Sequence, residues 1–122
     1  MSKTVRRFEV LLPLRLNDGT PVPDGSVADT LVELEERFGA VSCETQTIRG
    51  HWRYEGQPFR DDLIRVFVDV SDAPESRQFF VEFKERLKAR FEQLDIWITT
   101  YLIEVLQLEI PRRELPSSAD AA

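Results

Sequence analysis

Two stretches of period-two alternation constrain this chain more than any other feature. From Val5 to Leu14, the apolar Phe8, Val10, Leu12 and Leu14 alternate with Arg7, Glu9, Leu11 and Pro13. Leu63 to Val70 sets Ile64, Val66, Val68 and Val70 against Leu63, Arg65, Phe67 and Asp69. Successive side chains of a strand point to opposite faces, so each segment reads as a strand with one face that must be buried. Such a face needs a layer of helix or sheet to cover it.

The intervening pattern supplies that layer. Asn17-Asp18-Gly19 and Pro21-Val22-Pro23-Asp24-Gly25 are turn chemistry. Ser26 with Asp29 resembles a capping box, which predicts a helix beginning at about Ser26. Val27, Leu31, Leu34 and Phe38 then form one stripe opposite Asp29, Glu33, Glu36 and Arg37, and Gly39 is a helix stop. Val41 to Arg49 reads as a second strand. His51 to Pro58 reads as a long hairpin connection broken by Gly56 and Pro58. Asp72, Pro74 and Glu75 open a second helix that runs to about Phe91, with Phe79, Phe80, Phe83 and Leu87 on its buried side and a Glu82–Arg86 pair on its wet side. Asp95 to Leu106 reads as the last strand.

The order strand, helix, strand, strand, helix, strand is the split βαβ pattern. Right-handed crossovers then give an α+β, ferredoxin-like βαββαβ domain, an antiparallel sheet of order 4-1-3-2 with two helices on one face. The 122 residues suit one domain, placed at 1–110, with the patternless 111–122 expected to be a disordered tail. The run Glu36-Arg37-Phe38-Gly39-Ala40-Val41, then Gly50-His51-Trp52, then Asp62 to Val70, resembles small bacterial proteins of ferredoxin-like build. That resemblance implies the fold and supplies no activity.

Charge and composition narrow the functional classes. A net charge of −6 gives phosphate backbones and anionic membranes no general attraction. The strand at Leu63 also lacks the Lys/Arg-Gly-aromatic start of an RNA-recognition module, so no nucleic-acid partner is expected. No apolar run approaches a membrane span, and the charged start, Met1 to Arg7, lacks a signal core, which together predict a cytoplasmic protein. One histidine and one cysteine are too few for a conventional metal site, so no metal and no cofactor are expected. Cys43 reads as a buried, inert thiol. No phosphate-binding loop or nucleophile elbow is present, and the residues offer no positive reason to read an enzyme.

Two functional readings remain. His51, Trp52, Arg53 and Tyr54 gather hydrogen-bonding and stacking groups on one connection. If the ribbon continues through it, His51, Arg53 and Glu55 share one face and Trp52 and Tyr54 the other. The last strand is an edge with apolar residues on both faces and no proline, glycine or lysine, which predicts recruitment of another chain. The first reading is therefore a non-enzymatic or regulatory homodimer that assembles through the sheet face and last strand, burying Phe67, Trp97, Tyr101, Ile103 and Val105. The alternative is a small-molecule-binding protein or enzyme of the dimeric α/β-barrel kind, its pocket lined by His51, Trp52, Arg53, Tyr54, Arg65 and Tyr101. A covered sheet face with no cavity favours the first, whereas an enclosed pocket reached by His51, Arg65 or Tyr101 favours the second.

Overall fold

The computed structural model describes residues 2–106. The expected tail at 111–122 lies outside the described residues. The elements are β1 (Ser2–Pro13), α1 (Asp24–Phe38), β2 (Ser42–Tyr54), β3 (Gln57–Val70), α2 (Pro74–Arg90) and β4 (Ile98–Leu106). They form a four-stranded antiparallel sheet of order β2-β3-β1-β4, the expected ferredoxin-like arrangement.

The alternation decides the core. Phe8, Val10 and Leu12 of β1 and Ile64, Val66, Val68 and Val70 of β3 pack beneath Leu34 of α1 and Phe80, Phe83 and Leu87 of α2, with Phe91 and Ile96 closing one end. Phe8 stacks on Phe80 with ring centroids 4.2 Å apart, which fixes α2 over the two central strands. Arg7, Glu9, Leu11, Arg65, Phe67 and Asp69 take the other face, which no helix covers.

Local signals are less faithful guides than the alternation. Helix α1 begins two residues before the expected capping box: its N-cap is Pro23, no side chain caps it, and Asp24 supplies the negative charge at the positive end of the dipole. Asp72 does not cap α2 either; its carboxylate instead accepts a hydrogen bond from Arg6 Nε at 2.6 Å. Gly39 does end α1, with φ at 88° and its N–H donating to Glu35 O. Arg86 pairs across the helices with Glu33 at 2.6 Å rather than along α2 with Glu82.

The expected long connection at His51 to Pro58 is instead nearly all strand. Glu55 and Gly56, with φ of 50° and 79°, form a two-residue hairpin turn whose twist suits long paired strands. Strands β2 and β3 therefore run as one ribbon, in register from Ile48↔Leu63 to Tyr54↔Gln57, with a register shift between Glu44 and Ile48. Strand β1 pairs with β3 only from Leu63 onward, so the end of the ribbon projects beyond it. Pro58 is tolerated there because β3 has a neighbour on one side only. Strand β4 starts at Ile98, three residues later than expected, although Trp97 O already accepts from Leu11 N–H at 3.0 Å.

Glu33 links the helices. Desolvation opposes its ionisation, but hydrogen bonds from Arg90 and Arg86 outweigh this and hold its carboxyl below the ordinary 4.5. A group with a depressed folded pKa contributes stability that is present above its unfolded value and lost as pH falls through the folded one. Thermal melts of Glu33→Gln should therefore lose less stability than the parent as pH falls below about 4.5. Parallel losses would show that these ion pairs do not bear on folding.

Candidate functional site

The uncovered face carries two features, a polar network and a cleft. In the network, Arg7 donates from Nε and Nη2 to both oxygens of Asp69, at 2.7 and 2.9 Å. Arg65 reaches Glu9 at 3.1 Å and also Glu44, and Tyr101 donates its hydroxyl to Glu9 at 2.6 Å. The guanidinium carbons of Arg7 and Arg65 lie 4.4 and 5.1 Å from the Phe67 ring centroid, a cation–π arrangement on one aromatic. The hydrogen bond to Asp69 raises Arg7 above its ordinary value, so it is a permanent cation. Each charged side chain of this patch has an opposite charge beside it, so the patch reads as an ion-pair network, with Arg65 Nε its one buried nitrogen that finds no hydrogen-bond partner among the described residues.

The cleft lies at the other end of the same face, where the projecting ribbon meets the segment leading into β4. It has a volume of about 560 Å³ and is half open to solvent. Leu11, Pro13 and Leu63 form its floor, the ribbon from Gly50 to Tyr54 one wall, and Gln93 to Trp97 the other. Gly50 sits close to the floor: a Cβ there would come within 3.3 Å of Leu63 Cδ1, so a larger residue would have to displace that side chain. Trp52 stacks on Phe59 with centroids 4.6 Å apart and donates from Nε1 to Asp61 Oδ2 at 2.6 Å. Phe59 lies opposite Trp52 in the ladder and Asp61 is its diagonal neighbour, so register alone brings the three together. The indole is thereby held in one orientation, with a carboxylate at its rim.

Of the six residues predicted for a pocket, the structure brings together His51, Trp52, Arg53 and Tyr54, which all line the cleft. Arg65 and Tyr101 do not; both belong to the network, where Glu9 holds them. Among the residues predicted for an interface, Trp97 is 65% exposed and lines the cleft, and Tyr101 is exposed on β4. Sequence reasoning missed Asp61, Leu94 and Asp95. For Asp61 the signal lay in Glu55-Gly56: a two-residue turn there sets the register that brings it to Trp52.

Cys43 is exposed, which corrects its placement as a buried residue. Desolvation and the neighbouring Glu44 push its thiol up, away from the thiolate form a nucleophile needs. Among the described residues, no group of three His, Cys, Asp or Glu side chains is placed to hold a metal ion. No helix among them is long and apolar enough to cross a membrane.

No protein family model matches the chain, and no curated protein matches it. Solved structures do. A phage SAM lyase in complex with S-methyl-5'-thioadenosine superposes with a TM-score of 0.61 at 11% identity, covering 88% of this chain and 93% of that one. The divalent cation tolerance protein Cut A1 from Thermus thermophilus gives 0.52 at 16% identity, over 93% of this chain and 90% of that one. The phage SAM lyase in its apo state also gives 0.52, at 18% identity, over 88% and 94%. At such identities these likenesses define a shared fold and no shared chemistry.

Proposed function

We propose that the chain is a small-molecule-binding protein that works as a homodimer, and that its ligand is a planar heteroaromatic compound of about nucleoside size. The observation that carries this reading is the cleft: both tryptophans of the chain line it, and one is fixed by Phe59 and Asp61. Its volume lies within the roughly 300–1,000 Å³ usual for small-molecule sites. Apolar walls with a few polar groups suit a flat ring. The Asp61 carboxylate, with acceptor capacity beyond the Trp52 bond, suits an amino or hydroxyl group on that ring.

Binding need not involve turnover. His51 is exposed and makes no side-chain hydrogen bond with a described residue, so nothing orients it as an acid or base. The homodimer rests on a separate observation, the last strand, whose outer edge pairs with no described strand while Leu102 and Leu106 remain exposed.

The ligand reading is tested by thermal shift with a panel of nucleosides that includes S-methyl-5'-thioadenosine, the compound bound by the phage lyase of similar fold. A ligand at about 100 times its Kd stabilises the fold by about 2.7 kcal/mol, a rise of several degrees in Tm. No rise with any member at millimolar concentration would contradict the proposed class.

A further inference from the structure

The edge of β4 has a feature that the open sheet face does not share: the direction of its unpaired backbone groups selects a partner and a register. The Leu11 N–H donates to Trp97 O at 3.0 Å, and the ladder continues as Glu9↔Thr99, Arg7↔Tyr101, Val5↔Ile103 and Lys3↔Val105. In an antiparallel pair, hydrogen-bonded residues alternate with non-bonded ones. The odd-numbered residues of β4 therefore turn their amides and carbonyls toward β1. Those of Ile98, Thr100, Leu102, Glu104 and Leu106 point outward, where no described strand meets them.

We infer that the partner at this edge is a second copy of β4, antiparallel across a two-fold axis at Leu102, so that two sheets join into one of eight strands. This rests on the homodimer reading and specifies its surface. The register follows from the backbone. Outward-facing residues must meet outward-facing residues, and pairing the whole of Ile98 to Leu106 with itself sets Leu102 opposite Leu102, Thr100 opposite Glu104 and Ile98 opposite Leu106. A two-fold interface must be self-complementary, and this register is. On the open side it places Tyr101 opposite Ile103 and Thr99 opposite Val105, apolar or neutral pairs of the kind that stabilise ladders.

Charge supports the same register from the helix side. A groove of about 160 Å³ runs between α2 and the first half of β4, lined by Phe8, Phe80, Val81, Ile98 and Thr100 with Arg77 and Lys84 among them. Arg77 makes no ion pair with a described residue, and Val81 is 58% exposed. Lys84 pairs with Asp95 at 2.9 Å. Glu104 is the one charged residue of β4, and its only described side-chain bond is from the exposed Ser2 hydroxyl at 3.1 Å. Placed opposite Thr100, the Glu104 of a second copy comes to this groove beside Arg77, while Leu106, opposite Ile98, covers its apolar floor. One charge and one apolar contact are thus matched twice, once in each direction across the axis.

Sedimentation velocity at micromolar concentration tests the pairing with two kinds of variant. Leu102→Pro removes an outward amide that β1 does not use, so the fold stands while the seam is blocked. It should sediment as a monomer where the parent is a dimer. Glu104→Arg should raise the dimer Kd about tenfold or more, and adding Arg77→Glu should restore most of the loss. A Leu102→Pro protein that remains dimeric, or a double charge reversal no tighter than the single, would overturn the edge pairing and leave dimerisation by another surface standing. A parent that is monomeric throughout would overturn both.

Discussion

Phe83→Ala should cost about 3–5 kcal/mol, the range for truncating a buried aromatic to alanine. The ring is fully buried and packs against Phe79 and Phe80 at centroid distances of 5.2 and 5.9 Å, directly over the central strands. Domains of this size hold about 5–15 kcal/mol in total, so this one change removes a large share of the folding free energy. Urea unfolding with an unchanged slope would measure it. A loss below about 1 kcal/mol would mean that the α2 face over the sheet is not the one described. Phe83→Leu should cost distinctly less, because most of the volume is refilled.

The second large effect is on binding. Trp52→Ala should abolish the ligand-dependent rise in Tm while lowering the Tm of the free protein only modestly. The asymmetry follows from location. Trp52 is half-buried on a ribbon that extends past β1, outside the cluster of Phe8, Val66, Phe83 and Leu87 that holds the domain together. Its loss removes the stack on Phe59 and leaves the Asp61 carboxylate, which lines the cleft, without its donor. Phe in its place keeps an aromatic face but not the indole N–H, and should retain part of the effect. A Trp52→Ala protein whose Tm still rises fully with ligand would place binding elsewhere.

Burial on one face is the most legible property of the sequence because it is a collective signal. Four apolar positions at period two in each central strand point together to one covered face, and strand order follows from them. The ends of elements depend on single hydrogen bonds, which a sequence does not rank. Ser26 and Asp72 both have capping chemistry, but α1 begins two residues earlier, at Asp24, and Arg6 claims the Asp72 carboxylate. The 51–58 segment misleads for a related reason. Gly56 and Pro58 look like breakers of a connection, yet Gly56 serves the turn and Pro58 sits where β3 has one neighbour. Extending the ribbon brings Trp52, Phe59 and Asp61 together, which no local pattern announces. Chemistry alone assigns Arg65 and Tyr101 to the pocket. Their common partner, Glu9, is 56 and 92 residues distant in sequence, and it draws them into the network instead.

The chain contains two tryptophans, and both line the cleft. Its intrinsic indole emission therefore reports on the candidate site with no background from elsewhere in the chain. Titrating the parent protein with the nucleoside panel, under excitation selective for tryptophan, reads binding at the cleft itself. At least one member of the panel should give a saturable change in emission intensity and maximum, as a planar ring displaces water from the indole, and that saturation should be lost in Trp52→Ala. Emission that stays constant with every nucleoside up to millimolar concentration, after correction for absorbance, would contradict binding there.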